Sequence, residues 1–580
     1  MICQRLTSLR LPNLLIIFAG ILWLSGLNGG KLQAQPFEGN PIRPPSLPEL
    51  TPTQPVPLPE TPLKIPSFNP NAVEEFPANI PGTIIVKQFQ FQGNTAFSTE
   101  ELAQATQQFT GRPVTFAELL QARSAITKLY VDNGYVTSGS YIPPQTIENG
   151  IVTINIVEGK LEDIKVTVEG KLNPNYVRDR LALAGETPLN INRLVEGLQL
   201  LQLNPIIEKI SAELTASPRP GNNLLIVNVV TARSFFPTAI IDDGRNPQVG
   251  EIRRGFNLSE KNLTGNGDKV ELTYFNTDGS DDVEVTYQVP VNVYNGTVQV
   301  GFRNLTGEII EQPLDILEIN SDYQKYSFKF RQPIIETPNQ QFTLELDLDH
   351  QQSKTLYLQG LPFPGRGSDN NGRTNISTVR FAQEWVGRSD QQVLSARSEF
   401  DWGIEALGTT KPFDIEVNSE SPYSNYFLWR GQAQWVRLLA PDTLFLIRSD
   451  FQISDRPIIS LEQFSLGGLG NVEGYRQNSL LTDNGIFAGM EVRLPIYRIT
   501  KDKVLVQIIP FFNYGQGWNS GNTPDPQINE LASVGVGLQL QYGSLFNARI
   551  DWANRLGKEL FQGGNSLQDD GIFFTITISP

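Results

Sequence analysis

The amino-acid sequence points to an α+β N-terminal region of two small repeated units, followed by an all-β transmembrane barrel of about 16 antiparallel strands. Three observations carry this expectation. Residues 83–232 run twice, the second time more loosely, through the order strand, helix, helix, strand, strand. Residues 233–580 alternate apolar and polar positions between Gly, Asn, Asp and Pro turns, with no helical periodicity. An export leader precedes both.

The leader is residues 1–34. Arg5 and Arg10 form a basic lead, Leu14 to Leu27 an apolar core, and Leu32-Gln33-Ala34 a cleavage site. The apolar run is short beside the ~20 residues of a helical span, so a cleaved signal peptide is expected. The only cysteine, Cys3, lies inside it. An exported chain then has no disulfide to stabilise it, no thiol chemistry and no cysteine zinc site. The only histidine, His350, stands in the alternating stretch "FTLELDLDHQ", which weighs against hydrolase triads and histidine-clustered metal sites. No catalytic residue, metal or cofactor is expected. Losing the three basic residues of the leader takes the formal charge from −15 to −18. That sign argues against a nucleic-acid partner, whose phosphates need a basic surface.

Residues 35–82 place a proline every few positions, which forbids helix and favours an extended linker. The first unit, residues 83–160, opens on the alternating "TIIVKQFQFQ". Ser98, with Glu101 three residues on, has capping-box spacing for a helix. In "TFAELLQARSAITKLYVDNG", Leu119, Ala122, Ala125, Ile126 and Leu129 recur at helical spacing, and Gly134 is a natural stop. "YVTSGSYI" and "GIVTINIVEG" read as strands, the first ended by Pro143-Pro144 because proline cannot donate to a ladder. The second unit, residues 161–232, has the strand "LEDIKVTVEG", helices in "NPNYVRDRLAL" and "NINRLVEGLQLLQ", and strands in "IEKISAELTAS" and "NNLLIVNVVTA".

In residues 233–580, "VLVQIIPFFNYG" carries Val504, Val506, Ile508, Phe512 and Tyr514 on one face. Leu505, Gln507, Ile509, Phe511 and Asn513 lie on the other. An apolar outer stripe ending in aromatics, opposite a mixed inner face, is what a lipid-facing strand needs. "GIFFTITISP" repeats the stripe with Ile572, Phe574, Ile576 and Ile578. A soluble sandwich would need loops less glycine-rich and a core filling two sheets.

"GGLGNVEGY", Gly467 to Tyr475, interrupts this pattern. Gly468, Gly470 and Gly474 approach a dinucleotide fingerprint, but the helix that must follow is missing. The glycines suit a loop that turns tightly against other backbone.

Two stretches resemble a known family. Tyr130, Gly134-Tyr135, Tyr141, Pro143-Pro144-Gln145, Gly150 and Glu158-Gly159 are similar to the first polypeptide-transport-associated (POTRA) domain of two-partner secretion transporters. "GGLGNVEGY" resembles the Val-Arg-Gly-Phe/Tyr tetrad at the tip of the sixth outer loop of POTRA-barrel proteins. Val472, Gly474 and Tyr475 match, but Glu473 holds the arginine position. The resemblance implies that this loop folds back into the barrel and meets a Phe-x-Asp-x-Gly strand. Here that strand reads Phe511, Asn513 and Gly515, with Asn513 in the aspartate position. Both halves of the implied ion pair have changed, which leaves two expectations open. Glu473 accepts a hydrogen bond from Asn513, or it finds a cation such as Arg476 or Arg493.

The resemblance also implies function: an outer-membrane translocase exporting an unfolded exoprotein, the haemolysin secretion/activation type. POTRA 1 (83–160) and POTRA 2 (161–232) would face the periplasm, with the barrel (233–580) in outer-membrane lipid. The client would add a strand at Tyr135, Val136, Thr137, Ser138, Tyr141 and Ile142, unless the neighbouring unit covers that edge. Barrel-assembly machinery would insert the chain, although Pro580 departs from the terminal aromatic common in such barrels. The alternative within the superfamily is a factor that inserts other barrels.

Overall fold

The computed structural model describes residues 62–64, 82–219, 221–363, 365, 367–410, 422, 424–501, 503–558 and 565–580. The leader and most of the proline-rich linker lie outside them. Among the described residues no helix is long and apolar enough to cross a membrane.

The first unit contains β2 (Thr83–Ile85), β3 (Gln88–Gln92), α1 (Thr99–Thr106), β4 (Pro113–Thr115), α2 (Phe116–Asp132), β5 (Gly139–Tyr141) and β6 (Ile151–Val157), preceded in the chain by β1 (Leu63–Lys64). Its main sheet has the order β3-β6-β5. Both helices begin at reciprocal capping boxes, Ser98 with Glu101 and Thr115 with Glu118. Phe89, Leu102, Leu119, Ala122, Ile126, Tyr130, Val152 and Ile154 form the core. Gln145 shows why a glutamine follows two prolines. Its side chain accepts from the Thr153 amide at 2.7 Å and donates to the Thr153 carbonyl at 2.8 Å. One side chain thus satisfies the β6 backbone groups that a proline segment cannot fully pair.

The second unit comprises β7 (Lys160–Glu169), α3 (Pro174–Ala184), α4 (Ile191–Gln202), β8 (Ile207–Ala216) and β9 (Asn222–Thr231). Its sheet order is β1-β8-β9-β7. The linker therefore contributes a strand: Leu63 and Lys64 pair in parallel with Ala212 and Glu213. The Ala212 amide donates to the Pro62 carbonyl at 2.9 Å. This departs from a plain tether. Proline lacks a donor but keeps its acceptor, and Leu63 gains burial against the second-unit core.

The barrel strands are β10 (Phe235–Asp242), β11 (Arg253–Lys261), β12 (Lys269–Asn276), β13 (Ser280–Pro290), β14 (Thr297–Glu308), β15 (Asn320–Glu336) and β16 (Gln340–Tyr357). After the two-residue β17 (Leu361–Pro362), which pairs with the tip of β16, come β18 (Arg373–Arg388), β19 (Gln392–Ile404), β20 (Phe427–Ala440) and β21 (Thr443–Ser454). A small hairpin, β22 (Phe464–Leu466) and β23 (Leu480–Thr482), precedes β24 (Asn484–Ile499), β25 (Val504–Trp518), β26 (Glu530–Tyr542), β27 (Phe546–Arg555) and β28 (Ile572–Ile578). Among the described residues sixteen antiparallel strands close through β10 and β28, the number expected from chain length and the family resemblance together. Closure leaves no unpaired edge in lipid. The β25 alternation is as read: Gln507, Ile509, Phe511 and Asn513 are buried inward, while Ile508 is exposed outward. Outward Val285, Val300, Leu346, Leu348, Met490, Leu538 and Ile550 continue an apolar belt.

The second unit docks on the barrel turns between β11 and β12 and between β13 and β14. The Asn173 main-chain amide donates to the Gly265 carbonyl at 2.8 Å, and Arg180 donates to Asn295 at 2.7 Å while lying 3.6 Å over the Tyr176 ring. Because strands alternate in direction, the long β21–β24 connection enters the barrel from the opposite end.

Candidate functional site

The β21–β24 connection, residues 455–483, turns into the lumen instead of standing out in solvent. Leu461, Glu462, Phe464, Leu466, Val472, Glu473, Tyr475, Arg476 and Leu480 on it are all buried. The β22–β23 hairpin lies against the inner wall, where glycines admit it. A Cβ at Gly485 would clash with the Phe464 ring, and one at Gly515 would meet Leu466 at 2.5 Å. At the start of the tip Gly467 has φ +98°, and a Cβ there would meet Arg476 O at 2.6 Å, so both backbone conformation and space demand glycine. Gly515 is legible in the sequence as part of a motif. Gly485 carries no local signal, because its importance comes from a residue packed across the lumen.

Val472 is fully buried in a cluster with Phe464, Leu466, Tyr475 and Leu480. The Tyr475 hydroxyl donates to the Ala532 carbonyl on β26 at 3.4 Å. Gly474 faces Ala553 of β27 with room for an added Cβ at ordinary contact distance, so its φ of +98°, not lack of space, asks for glycine. Phe511 packs with Ala553 and Phe573 on the wall. These motif residues are brought together in one corner of the lumen.

The Glu473 expectations both require correction. Glu473 and Asn513 line one small cavity with Arg448, Glu491, Phe511 and Arg549, yet no hydrogen bond joins them. Glu473 Oε1 accepts from the Gly470 amide at 3.3 Å, within its own tip, and Oε2 has no hydrogen-bond partner among the described residues. Asn513 Oδ1 instead lies over Gly489 of β24, where a Cβ would come within 2.7 Å. The expected cations are engaged elsewhere. Arg476 binds Asp569 at 2.6 Å and Glu311 at 2.8 Å, and Arg493 binds Glu491 at 2.6 Å. Arg549, on the same cavity wall, holds Glu491 at 3.0 Å and Asp551 at 2.8 Å. The tip is thus seated by apolar packing. Arg476 adds a tie to two loops on the side remote from the second unit.

In the first unit the strand expected over 135–142 is only Gly139–Tyr141. The residues before it form a turn, with the Ser138 amide donating to the Tyr135 carbonyl at 3.0 Å. Tyr135 and Ile142 pack on the first core, and Val136 packs on the second unit's core. Ser138 is buried and accepts from the Gly159 amide at 2.9 Å. The Thr137 side chain lies against Gly159, so a Cβ there would clash with it. Tyr141 remains exposed at 46%. The outward Ser140 amide donates to Thr127 Oγ1 of α2 at 3.2 Å. The edge is short and its free donor is occupied by a side-chain hydroxyl.

Glu158, also singled out by the motif, joins α2 to the turn after β3. Its carboxylate accepts from the amides of Thr95 and Ala96 at 2.7 and 2.8 Å and from the Tyr130 hydroxyl at 2.8 Å. Burial works against its charged form, but these hydrogen bonds outweigh burial and hold the carboxyl below its ordinary value.

The remaining lumen is a cavity of about 1020 Å³ lined by both the loop and the charged inner wall. Among the described residues no cluster of His, Cys, Asp and Glu is arranged to hold a metal ion.

Residues 84–159 match the POTRA domain of ShlB type, and residues 221–540 match the haemolysin secretion/activation protein family ShlB/FhaC/HecB. The chain is 21% identical over 487 residues to the heme/hemopexin transporter protein HuxB of Haemophilus influenzae, covering 81% of this chain and 83% of that protein. It is 19% identical over 414 residues to the outer membrane transporter CdiB of Dickeya dadantii, covering 69% and 71%. The solved structure of CdiB from Escherichia coli shares the fold with a TM-score of 0.66 at 17% identity, over 91% of this chain and 94% of that one.

Proposed function

The chain belongs to the haemolysin secretion/activation family of two-partner secretion outer-membrane transporters, and from that premise we propose that it captures one unfolded exoprotein and passes it outward through its barrel. The observation that carries this reading is the lumen. A closed barrel holds a cavity of about 1020 Å³ that is plugged by a loop of the same chain, not by a packed core. A plug seated by apolar contacts and a few ion pairs can leave without unfolding the wall.

Residues 1–34 direct export and are cleaved. The barrel resides in outer-membrane lipid after insertion by the barrel-assembly machinery, and the two POTRA units stand in the periplasm. Client capture proceeds by strand addition at β5. Thr127 Oγ1 occupies the outward Ser140 amide when no client is present. A client carbonyl replaces it, so the exchange costs little and demands little of client sequence. Tyr141 offers an exposed ring beside that edge, and Tyr135 to Ser138 with Ile142 hold the edge in place. No nucleotide enters the cycle, and folding of the client outside supplies the driving force.

The test is co-expression with a candidate exoprotein, a large exported β-helical protein sought in the adjacent reading frame, comparing the native chain with Ser140→Pro. Proline removes the outward donor but no ladder bond. The native chain releases the exoprotein into the medium, and the variant retains most of it while its barrel assembles normally. Equal release without the transporter rejects the export reading. Unchanged release by Ser140→Pro rejects β5 as the capture edge.

A further inference from the structure

Glu473 gives the lumenal loop no bond to the wall, but another acid on the same loop does. Glu462 is 2% exposed. Its Oε1 accepts from Gln351 of β16 at 2.7 Å and from Arg380 of β18 at 2.8 Å. Its Oε2 accepts from Arg430 of β20 at 2.8 Å. Its main-chain carbonyl accepts from Arg430 at 3.1 Å and from Gln452 of β21 at 3.0 Å. One loop residue therefore spans four wall strands.

The charges around it explain why the contact is specific. Arg380 also binds Asp349 and Asp401, Arg430 binds Asp401 at 2.8 Å, and Lys325 binds Asp349 at 3.1 Å. Glu399, 3.8 Å from Arg430, is held by Arg397 at 2.6 Å. With the loop seated, Arg380 and Arg430 each hold a Glu462 oxygen as well as Asp401. With the loop withdrawn, both guanidiniums lose that partner, and Arg380, Arg430 and Gln351 still converge on the vacated position. Such a site is built to receive one carboxylate.

We infer that Glu462 is the latch that holds the loop in the lumen, and that Arg380 and Arg430 with Gln351 are its receptor on the wall. The latch sits on the side of the barrel formed by β16 to β21, whereas the tip around Glu473 rests on β24 to β27. The loop is fastened by charge at its stem, by packing at its tip, and by the Arg476 ion pairs that follow the tip. Glu462 is a positioning residue: it acts on passage by keeping the plug seated. This deepens the reading of the barrel as a plugged conduit but does not depend on any cargo.

Purified full-length protein in planar lipid bilayers, with KCl as the only permeant, tests it. Glu462→Gln keeps the shape and removes the charge, and should raise open probability at least tenfold. Glu462→Asp keeps the charge but shortens its reach, and should raise it about threefold. Folding is checked by the heat-dependent shift of the barrel on gels. Should Glu462→Gln fail to assemble, Glu462→Asp decides alone. Assembled Glu462→Gln channels that stay closed as often as the native protein overturn the inference, as does an unchanged Glu462→Asp when it alone assembles. Because conductance needs no client, loss of the export reading would leave this result standing.

Discussion

Leu466 of the lumenal loop lies directly over Gly515 of β25, so closely that a Cβ on the wall would stand 2.5 Å from its Cδ2. The wall position is a seat shaped for one side chain of the plug. Gly515→Leu fills that seat, and the overpacking is relieved by expelling the loop because the strand itself is held by ladders on both sides. Arg476, buried in the native lumen, then reaches solvent. Trypsin added to intact cells should cut after Arg476 in the variant and spare the native chain.

Glu473 and Asn513 share a cavity without sharing a bond. A double-mutant cycle with Glu473→Gln and Asn513→Ala should give a coupling energy below about 0.5 kcal/mol, the range of independent sites. The amide oxygen introduced by Glu473→Gln can still accept from the Gly470 N–H. Urea unfolding in detergent reads the cycle; coupling above about 1.5 kcal/mol, the level of a charged hydrogen bond, would restore the direct contact.

Glu158 carries a pH signature for the first unit. Its carboxyl is held below its ordinary value of 4.5, so the folded state binds fewer protons than the unfolded one. The stability it adds is present above pH 4.5 and drains away as pH falls through the lowered folded value. Its partial exposure screens the effect, so Glu158→Gln should cost about 1 kcal/mol at neutral pH and almost nothing in strong acid. Hydrogen exchange of the α2 amides in the full-length protein at both pH values checks the difference.

Leu63 fastens the linker strand to the second unit. Leu63→Asp removes about 2 kcal/mol of burial, enough to free β1 while the second core stays intact. The Ala212 amide, which donates to Pro62, should then exchange about 30-fold faster, each 1.4 kcal/mol being a factor of about ten. Amides of α4 should be unaffected.

The sequence made some of these features readable and hid others, for physical reasons. The β25 alternation is visible because lipid on one face and lumen on the other impose period two on neighbouring residues. Ser98 and Glu101 announce a helix start because a capping box is local. Glu462 is invisible because its partners come from four strands that the linear order keeps apart. Asn513 misleads because its place in a motif says nothing of which way its amide turns, and Gly489 of the adjacent strand makes room for it away from the loop. Leu63–Lys64 gives too short a pattern to read as a strand, and Tyr135 to Ser138 read as strand although their amides close a turn.

The claim that cargo moves through a lumen vacated by this loop is tested most directly by pinning the loop. With Cys3 the only native cysteine, Leu466→Cys with Gly515→Cys introduces a clean pair at the seat described above. Release of the exoprotein into the medium should stop under oxidising conditions and resume within minutes of adding a reductant. Release at the native rate with the disulfide intact would mean that cargo passes by another route.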